Sequence, residues 1–529
     1  MIKKLPIIIF LSGIFFSGIL FSTHAQQKKL DKIAYEYAQK SFQNFREMLS
    51  IFSDAHYPNK TYENVTWCKQ QFEARGFTTK ELETKPRGFT TQELNTKRLP
   101  LLLATRKAKG AKKTILIYLQ IDGQPVDTSA WFQENPWKPV LKQRNAAYNP
   151  SEDALSKEWE EIPWENLSKK YNPEYRIFAR ATSDAKGPAA MFLAALDAAA
   201  KLKVKPNYNI KVIMDFEEEL GSPNLPQAVK DYQKELAADA LIIYDGPRHI
   251  SNEPTLVYGA RGIATVELEV YGPRKPLHSG HYGNYAPNPA LTLSQLLVSM
   301  KDRSGRVVIP GWYDGITLSP EVKKILRQVP DDEQDIRKKI GISKIDKVAT
   351  NYQESIQYPS LNILGIESGW VRKETRTIVP ATAIAELDIR LVKESDPKKL
   401  IKLLKQHIEA QGFHFVKEQP TEAERRQYDK LIRFESKVFY QAFRTDFNTR
   451  VGKWLRKAMK TAFGKKPIQI RMAGGSIPIS PFVTTLNIPA VLVPTVNYDN
   501  NQHSPNENIR VGNYVEGVKT FLAILMEKY

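Results

Sequence analysis

Asn209-Ile-Lys-Val-Ile-Met-Asp-Phe-Glu217-Glu-Glu-Leu-Gly-Ser222 decides how this chain is read. Ile210, Val212, Ile213 and Met214 form an apolar run of the length and β-branching of a buried strand. The run leads directly into three consecutive glutamates and a Gly-Ser turn. Open α/β sheets bind ligands outside the carboxyl ends of their strands, so a strand that delivers acids to its own C-terminal end marks a site. Three clustered carboxylates repel one another and lose hydration on burial unless a cation or basic groups offset them. Taken alone, the triplet also reads as a solvated acidic turn.

The same pattern recurs outward from it. Residues 114–122 are a second apolar run, ending at Asp122, and 240–245 are a third, ending at Asp245. Asp184 lies in Arg180-Ala-Thr-Ser-Asp-Ala-Lys-Gly187, just before a predicted helix over 188–202, where an N-cap is the plain alternative. A further strand over 488–494 precedes His503-Ser-Pro-Asn-Glu507. Singly, Asp122 reads as a turn residue, Asp245 as an Asp-Gly turn and His503 as a surface histidine. At one edge of one sheet, these carboxylates and the imidazole form a ligand set for zinc or manganese.

The remaining pattern predicts two kinds of domain. Residues 26–73 have helical spacing, and 127–172, rich in Trp and Pro, read as a long irregular excursion of the kind that forms sites. From 259 the periodicity changes. Residues 264–271 and 382–392 alternate with period two, and 289–299 and 398–411 are helical. Helix over 452–463 and an amphipathic helix over 513–527 follow. The expected organisation is a leader over 1–25, a catalytic domain over 26–258 and 431–529, and an inserted lid and dimerisation domain over 259–430. The catalytic domain is α/β with a central, mostly parallel sheet; the insert is α+β. Arg75-Gly-Phe-Thr-Thr-Lys-Glu-Leu-Glu-Thr-Lys-Pro is repeated from Arg87 with small changes. Two copies are too few for a solenoid, and the repeat carries no chemistry.

Composition narrows the class. With 529 residues and 42% hydrophobic content, the chain can bury a sizeable core. Its formal net charge is +19, or +17 without Lys3 and Lys4 of the leader. The basic residues are spread along the chain with no nucleic-acid motif, so general surface character explains the charge and no nucleic acid is expected as partner. Attachment to a polyanion or membrane surface is the weaker alternative. Met1–Lys4, the apolar core 5–21 and Thr23-His24-Ala25 predict a signal peptide cut after Ala25 and an exported, periplasmic or secreted protein. An uncleaved anchor is the alternative. After cleavage no stable membrane insertion is expected. Cys68 is the only cysteine, so there is no intrachain disulfide, and its amphipathic context predicts a buried, inert thiol.

From Ile115 to the C-terminus the motifs resemble those of the co-catalytic zinc metallopeptidases, the family that includes carnosine dipeptidases, aminoacylases and bacterial glutamate carboxypeptidases. The strongest pieces are Arg180–Gly187, Glu217–Ser222, Pro276-Leu-His-Ser-Gly280, Gly474-Gly-Ser-Ile-Pro478 and His503–Glu507. Gly305-Arg-Val-Val-Ile-Pro-Gly-Trp-Tyr-Asp314 and Leu387-Asp-Ile-Arg-Leu391 are similar to the dipeptidase branch. The resemblance implies that Asp184 bridges two metal ions, with Glu219 and His503 completing one position and Asp245 serving the other. It implies Glu218 as general base, Asp122 as the group that orients a ligand, and His278 reaching across a dimer interface. Arg390 would hold a substrate carboxylate, with Gly475 and Ser476 lining the pocket.

Two positions depart from the family pattern. Gln120 stands where a metal-ligand histidine is usual, and glutamine is a weaker, neutral oxygen donor. It is the open candidate for the second metal position. Met472-Ala473 stands where Arg-Glu is usual, with Arg471 nearby as a partial substitute. The expected function is an exported metal-dependent peptidase. It would hydrolyse dipeptides or short peptides with a free carboxylate, using one or two Zn²⁺ or Mn²⁺ ions per chain in a homodimer. The alternative is a peptide- or metal-binding pseudoenzyme, motivated by Gln120.

Overall fold

The structure, a computed structural model, describes residues 12–83, 98–169 and 171–529, with side chains from Gln26 onward. The expected leader over 1–25 therefore lies outside the described side chains, and the second copy of the repeat lies outside the described residues. The described chain forms two compact units. The first runs up to Tyr258 and resumes with Thr445–Ile470 and Pro481–Tyr529; the second is Gly259–Arg444 with Arg471–Ser480. The return to the first unit falls at Thr445, whereas the sequence reading puts it at 431.

The first unit is built on an eight-stranded sheet: β1 (Thr78–Leu82), β2 (Leu101–Arg106), β3 (Lys113–Gln120), β4 (Tyr208–Asp215), β5 (Ala240–Ile243), β6 (Thr255–Val257), β7 (Ile468–Ile470) and β8 (Ala490–Leu492). Their spatial order is β1-β2-β4-β3-β5-β8-β6-β7. The centre is parallel: β3 pairs in parallel with both β4 and β5, and β8 with β5. Antiparallel pairing is confined to β1 with β2, β2 with β4, and β8 with β6. Parallel strands buried on both faces read as continuous apolar runs, which is how β3, β4 and β5 appear in the sequence.

Ile115, Ile117, Leu119 and Ile121 enter the main core, as do Ile242 and Tyr244, so one face of β3 and β5 is fixed by pleat alternation. Tyr118, Gln120 and Asp122 are left on the other face. A helical layer made by α1 (Ser12–Ser50), α2 (Pro58–Glu73), α3 (Lys186–Lys201), α4 (Arg450–Phe463) and α5 (Val511–Met526) supplies the rest of this core. α3 is alanine-rich and buried almost all round, as a helix in the middle of a core must be. Lys186, at its start, is fully buried, and its Nζ donates to the carbonyls of Met48 and Ile51 at 2.8 Å each. This adds a strong donor at the C-terminal end of α1, where carbonyls run out of helical partners; Met48 O otherwise accepts a long 3.4 Å bond from the Ile51 N–H. Burial pushes its ammonium down to about 7. Cys68 is buried on α2, and burial pushes its thiol up to about 12, as an inert thiol requires.

The expected irregular excursion over 127–172 is in part regular. Val140–Arg144 and Trp159–Glu161 pair antiparallel, Val140–Arg144 pairs with Arg176–Phe178, and that strand pairs with Asn508–Arg510. Short strands flanked by Trp and Pro carry too few alternating positions to register as periodicity. The last pairing joins segments more than 300 residues apart and carries the 503–507 loop to the start of α3.

The second unit is α+β. Its five-stranded sheet runs in the order Ser360–Glu367, Thr382–Leu391, Gly262–Tyr271, Leu431–Tyr440, His414–Val416. Inward residues Ala264, Val266 and Leu268 alternate with outward ones and pack with Leu293 and Leu296 of helix Pro289–Ser299. Leu400 and Leu404 of helix Pro397–Ala410 complete that core. Among the described residues no helix is long and apolar enough to cross a membrane.

Candidate metal centre

The turn after β4 is held by two buried carboxylates. Asp122 Oδ1 and Oδ2 accept the backbone N–H of Glu218 at 3.1 Å and of Glu219 at 3.0 Å. Asp215 Oδ1 accepts the N–H of Glu217 at 3.0 Å, and its Oδ2 accepts from Ser222 Oγ at 2.5 Å and Tyr118 Oη at 3.0 Å. Gly221 closes the turn at φ +79°, a conformation natural to glycine. Of the three glutamates, Glu217 is turned into the protein, where its Oε2 accepts from Asn224 Nδ2 at 2.7 Å. Glu218 and Glu219 remain for the site.

Asp184 is held in a comparable way. Buried Glu507 accepts the N–H groups of Ala181 (2.9 Å), Ser183 (2.7 Å) and Asp184 (3.0 Å), and pairs with Arg180 Nη1 at 2.9 Å. Ala181, at φ +62°, and His503, at φ +59°, both sit in the left-handed region, costly for residues with a side chain. A Cβ on Gly187 would lie 2.3 Å from the carbonyl oxygen of Thr182, so this first turn of α3 admits only glycine. No N-cap bond is made by the Asp184 side chain; the residue before the helix is Ala185 and has no capping side chain.

The two turns and the 503–507 loop bring three ligand-type groups together. Oxygens of Asp184 and Glu219 and a ring nitrogen of His503 all lie within 4.8 Å of one another. His503 Nε2 is 2.9 Å from Asp184 Oδ2 and 3.4 Å from Glu219 Oε2. The second oxygen of Glu219 is buried without a hydrogen-bond partner. Burial, reinforced by the neighbouring Asp184, raises the Glu219 carboxyl well out of the usual range. The same two causes raise Asp245, while burial followed by Asp245 and Asp184 raises Glu218. Burial, then Asp215 and Glu219, raises Asp122. The hydrogen bond to Asp184 raises the His503 imidazole. Crowded, desolvated carboxylates around one imidazole favour a bound divalent cation, which offsets their repulsion, and the donor set fits one.

The other expected site residues fall as follows. Asp245 accepts the N–H of Gly246 at 2.6 Å and lies within electrostatic reach of Asp184 and His503. Gln120 is 1% exposed, and neither its Oε1 nor its Nε2 has a hydrogen-bond partner. His278, Arg390, Gly475 and Ser476 belong to the second unit. There Arg390 donates through Nε to Asp388 at 2.8 Å and through Nη1 to Ser476 Oγ at 3.1 Å. Gly475, next to Ser476 in sequence, is exposed. His278 is exposed, and its Nδ1 accepts the N–H of Gly280 at 3.1 Å, capping helix Ser279–Tyr282. Arg471 is buried and donates to Gln357 at 2.5 Å. Sequence reasoning missed Asp215, Glu507 and Arg180 as holders of the site. The only signal was that each lies inside or beside a motif already singled out.

The family model for peptidase family M20/M25/M40 matches residues 151–527. Human Beta-Ala-His dipeptidase is 26% identical over 437 residues, covering 81% of this chain and 77% of the relative. The Cys-Gly metallodipeptidase of Saccharomyces cerevisiae is 25% identical over 485 residues, covering 90% and 92%. Among solved structures, an M20 family metallo-carboxypeptidase from Sulfolobus solfataricus superposes with a TM-score of 0.70 at 28% identity, covering 92% of this chain and 98% of that one. These findings correct the expected location. The Saccharomyces cerevisiae metallodipeptidase, matched over nine-tenths of this chain, is a cytosolic enzyme, and export to a periplasm or medium is not shown. A family match over most of the chain, on a fold that gathers Asp184, Glu219 and His503 at its strand ends, leads to one conclusion: this chain belongs to peptidase family M20/M25/M40 and is a metallopeptidase.

Proposed function

We propose that the protein hydrolyses the amide bond of dipeptides or short peptides bearing a free carboxylate. The observation that carries this reading is the Asp184–Glu219–His503 cluster with Glu218 one residue from a ligand. Asp184, Glu219 and His503 would hold one cation; Asp184, Asp245 and Gln120 would form a second position. When bound, a divalent cation acidifies water and polarises the scissile carbonyl. Glu218 takes the proton from the attacking water at its side-chain carboxylate and returns it to the leaving amine. Asp122 acts through the backbone, because its two oxygens hold the N–H groups of Glu218 and Glu219 and so fix where those side chains start. The named activities of the relatives, on Beta-Ala-His and Cys-Gly, support a dipeptide as substrate. The test is hydrolysis of a dipeptide panel by protein loaded with Zn²⁺ or Mn²⁺. No turnover of any member by metal-loaded protein would sink the reading and assign the site to binding alone.

In this reading Arg390, oriented by Asp388 and Ser476, holds the substrate carboxylate. A charge-assisted bond of this kind contributes about 1.5–3 kcal/mol. Arg390→Ala is therefore expected to raise KM about 10- to 100-fold on a dipeptide and to leave a C-terminally amidated dipeptide unaffected. Equal losses on both substrates would remove Arg390 from carboxylate recognition.

The reading includes a homodimer, to which His278 contributes across the interface. Support comes from the edge strand Ser360–Glu367, which among the described residues pairs only with Thr382–Leu391 and exposes Ile363, Leu364 and Ile366. An unprotected apolar edge is a template for pairing with another chain. Light scattering is expected to give twice the chain mass, and Leu364→Lys to halve it. A monomeric wild type at micromolar concentration would end the proposal for His278.

A further inference from the structure

β3 and β5 pair in parallel with Ile115 opposite Ala240 and Tyr118 opposite Ile243. The same register carried two residues further sets Gln120 beside Asp245 at the C-terminal edge of the sheet, one strand spacing away. Pleat alternation places both on the face turned away from the helical core, because Leu119, Ile121, Ile242 and Tyr244 occupy that core. Asp122 on the same face already contacts the turn that carries Glu218 and Glu219. Asp184 acts electrostatically on Asp245. Gln120, Asp245 and Asp184 thus converge, and the Gln120 amide is buried with neither polar atom partnered. Buried polar groups are nearly always hydrogen-bonded, so an orphaned pair of this kind at a ligand cluster points to a missing partner.

We propose that the two metal positions differ in kind: Asp184, Glu219 and His503 form a nitrogen-containing zinc position, while Asp184, Asp245 and the Gln120 carbonyl oxygen form an all-oxygen position whose preference is shifted towards Mn²⁺. This rests on the proposed metal centre and names its occupants. Imidazole favours zinc, whereas carboxylate and amide oxygens suit harder cations such as Mn²⁺ and Mg²⁺. Zinc still binds an oxygen site, so the shift is in the ratio of zinc to manganese affinity and does not exclude zinc. A glutamine ligand also needs no deprotonation before it coordinates, unlike a histidine, which must be neutral.

Metal-free protein would be dialysed against Zn²⁺ and Mn²⁺ and its bound metal measured directly, with Mn²⁺ followed by electron paramagnetic resonance. One zinc is expected to bind at least 10-fold more tightly than the second, and protein carrying one zinc should take up one Mn²⁺. Gln120→His should tighten the second zinc at least 10-fold. Gln120→Leu should abolish Mn²⁺ uptake while retaining the first zinc. Two zincs of equal affinity in the unaltered protein would overturn the asymmetry. So would undiminished Mn²⁺ uptake by Gln120→Leu, which would leave an ordered water as the partner of the amide. If the unaltered protein binds neither metal, the metal centre itself fails, and the asymmetry with it.

Discussion

Glu218→Gln is expected to lower kcat by about 10²–10⁴-fold, the usual contribution of a positioned general base. The substitution keeps size and shape and removes only the ability to accept a proton. The backbone N–H of Glu218 still reaches Asp122, and Asp184, Glu219 and His503 are untouched, so bound metal should equal that of the unaltered protein. KM should move little, because the lost interaction belongs to the transition state. The neighbouring Glu217→Gln is the matched control. Glu217 differs from Glu218 by one residue but faces Asn224 inside the protein, and its amide isostere keeps the acceptor. It should retain activity to within a few-fold. If the two variants lose activity equally, or if Glu218→Gln loses its metal in parallel, Glu218 is not the base.

The second large effect is on stability. Arg180→Met is expected to cost about 3–5 kcal/mol, the range for removing one partner of a buried ion pair. Both partners are almost fully inaccessible, at 4% and 0% side-chain exposure, so water cannot replace the guanidinium. Burial already pushes the Glu507 carboxyl up to about 7, against the pull of Arg180. A carboxyl whose folded pKa lies above its unfolded value favours folding below the unfolded value, and that contribution is lost as pH rises towards the folded one. The deficit of Arg180→Met should accordingly be larger at pH 8 than at pH 5, where a proton on Glu507 makes a partner less necessary. Urea unfolding of metal-loaded protein at both pH values measures it. An equal deficit at the two pH values would mean that the introduced methionine merely packs badly.

Residue content and residue placement differ in how far a sequence carries them. Apolar runs that end in acids were legible because a parallel strand buried on both faces leaves an unbroken hydrophobic signature, as in β3, β4 and β5. The motif around Asp184 and the one around His503 were legible for their residue content. Their mutual placement was not, because it depends on Asn508–Arg510 pairing with Arg176–Phe178 and on a Glu507–Arg180 contact 327 residues apart. No local periodicity records such a partner. Asp215 was hidden for a different reason: it reads as the last residue of a strand, and only the fold shows its carboxylate drawing Glu217, Ser222 and Tyr118 together. The strands Val140–Arg144 and Trp159–Glu161 were lost among Trp and Pro residues that look like loop. Nothing in the structure explains why the 75–86 segment is duplicated.

The long interval between Asp245 and His503 bears on how the protein is made. At a synthesis rate of about 5–20 residues per second, the ribosome would need roughly 10–50 s to pass from one to the other. During that time Asp184, Glu219 and Asp245 exist as a nascent acidic cluster without their imidazole, and α3 lacks α5, which packs on it. The Asp184–Glu219–His503 cluster therefore cannot be completed during most of translation. A stop codon placed between Asp245 and His503, even one that spares the whole inserted unit, would leave a chain with crowded carboxylates and an uncovered helical face, a natural client for chaperones and proteases.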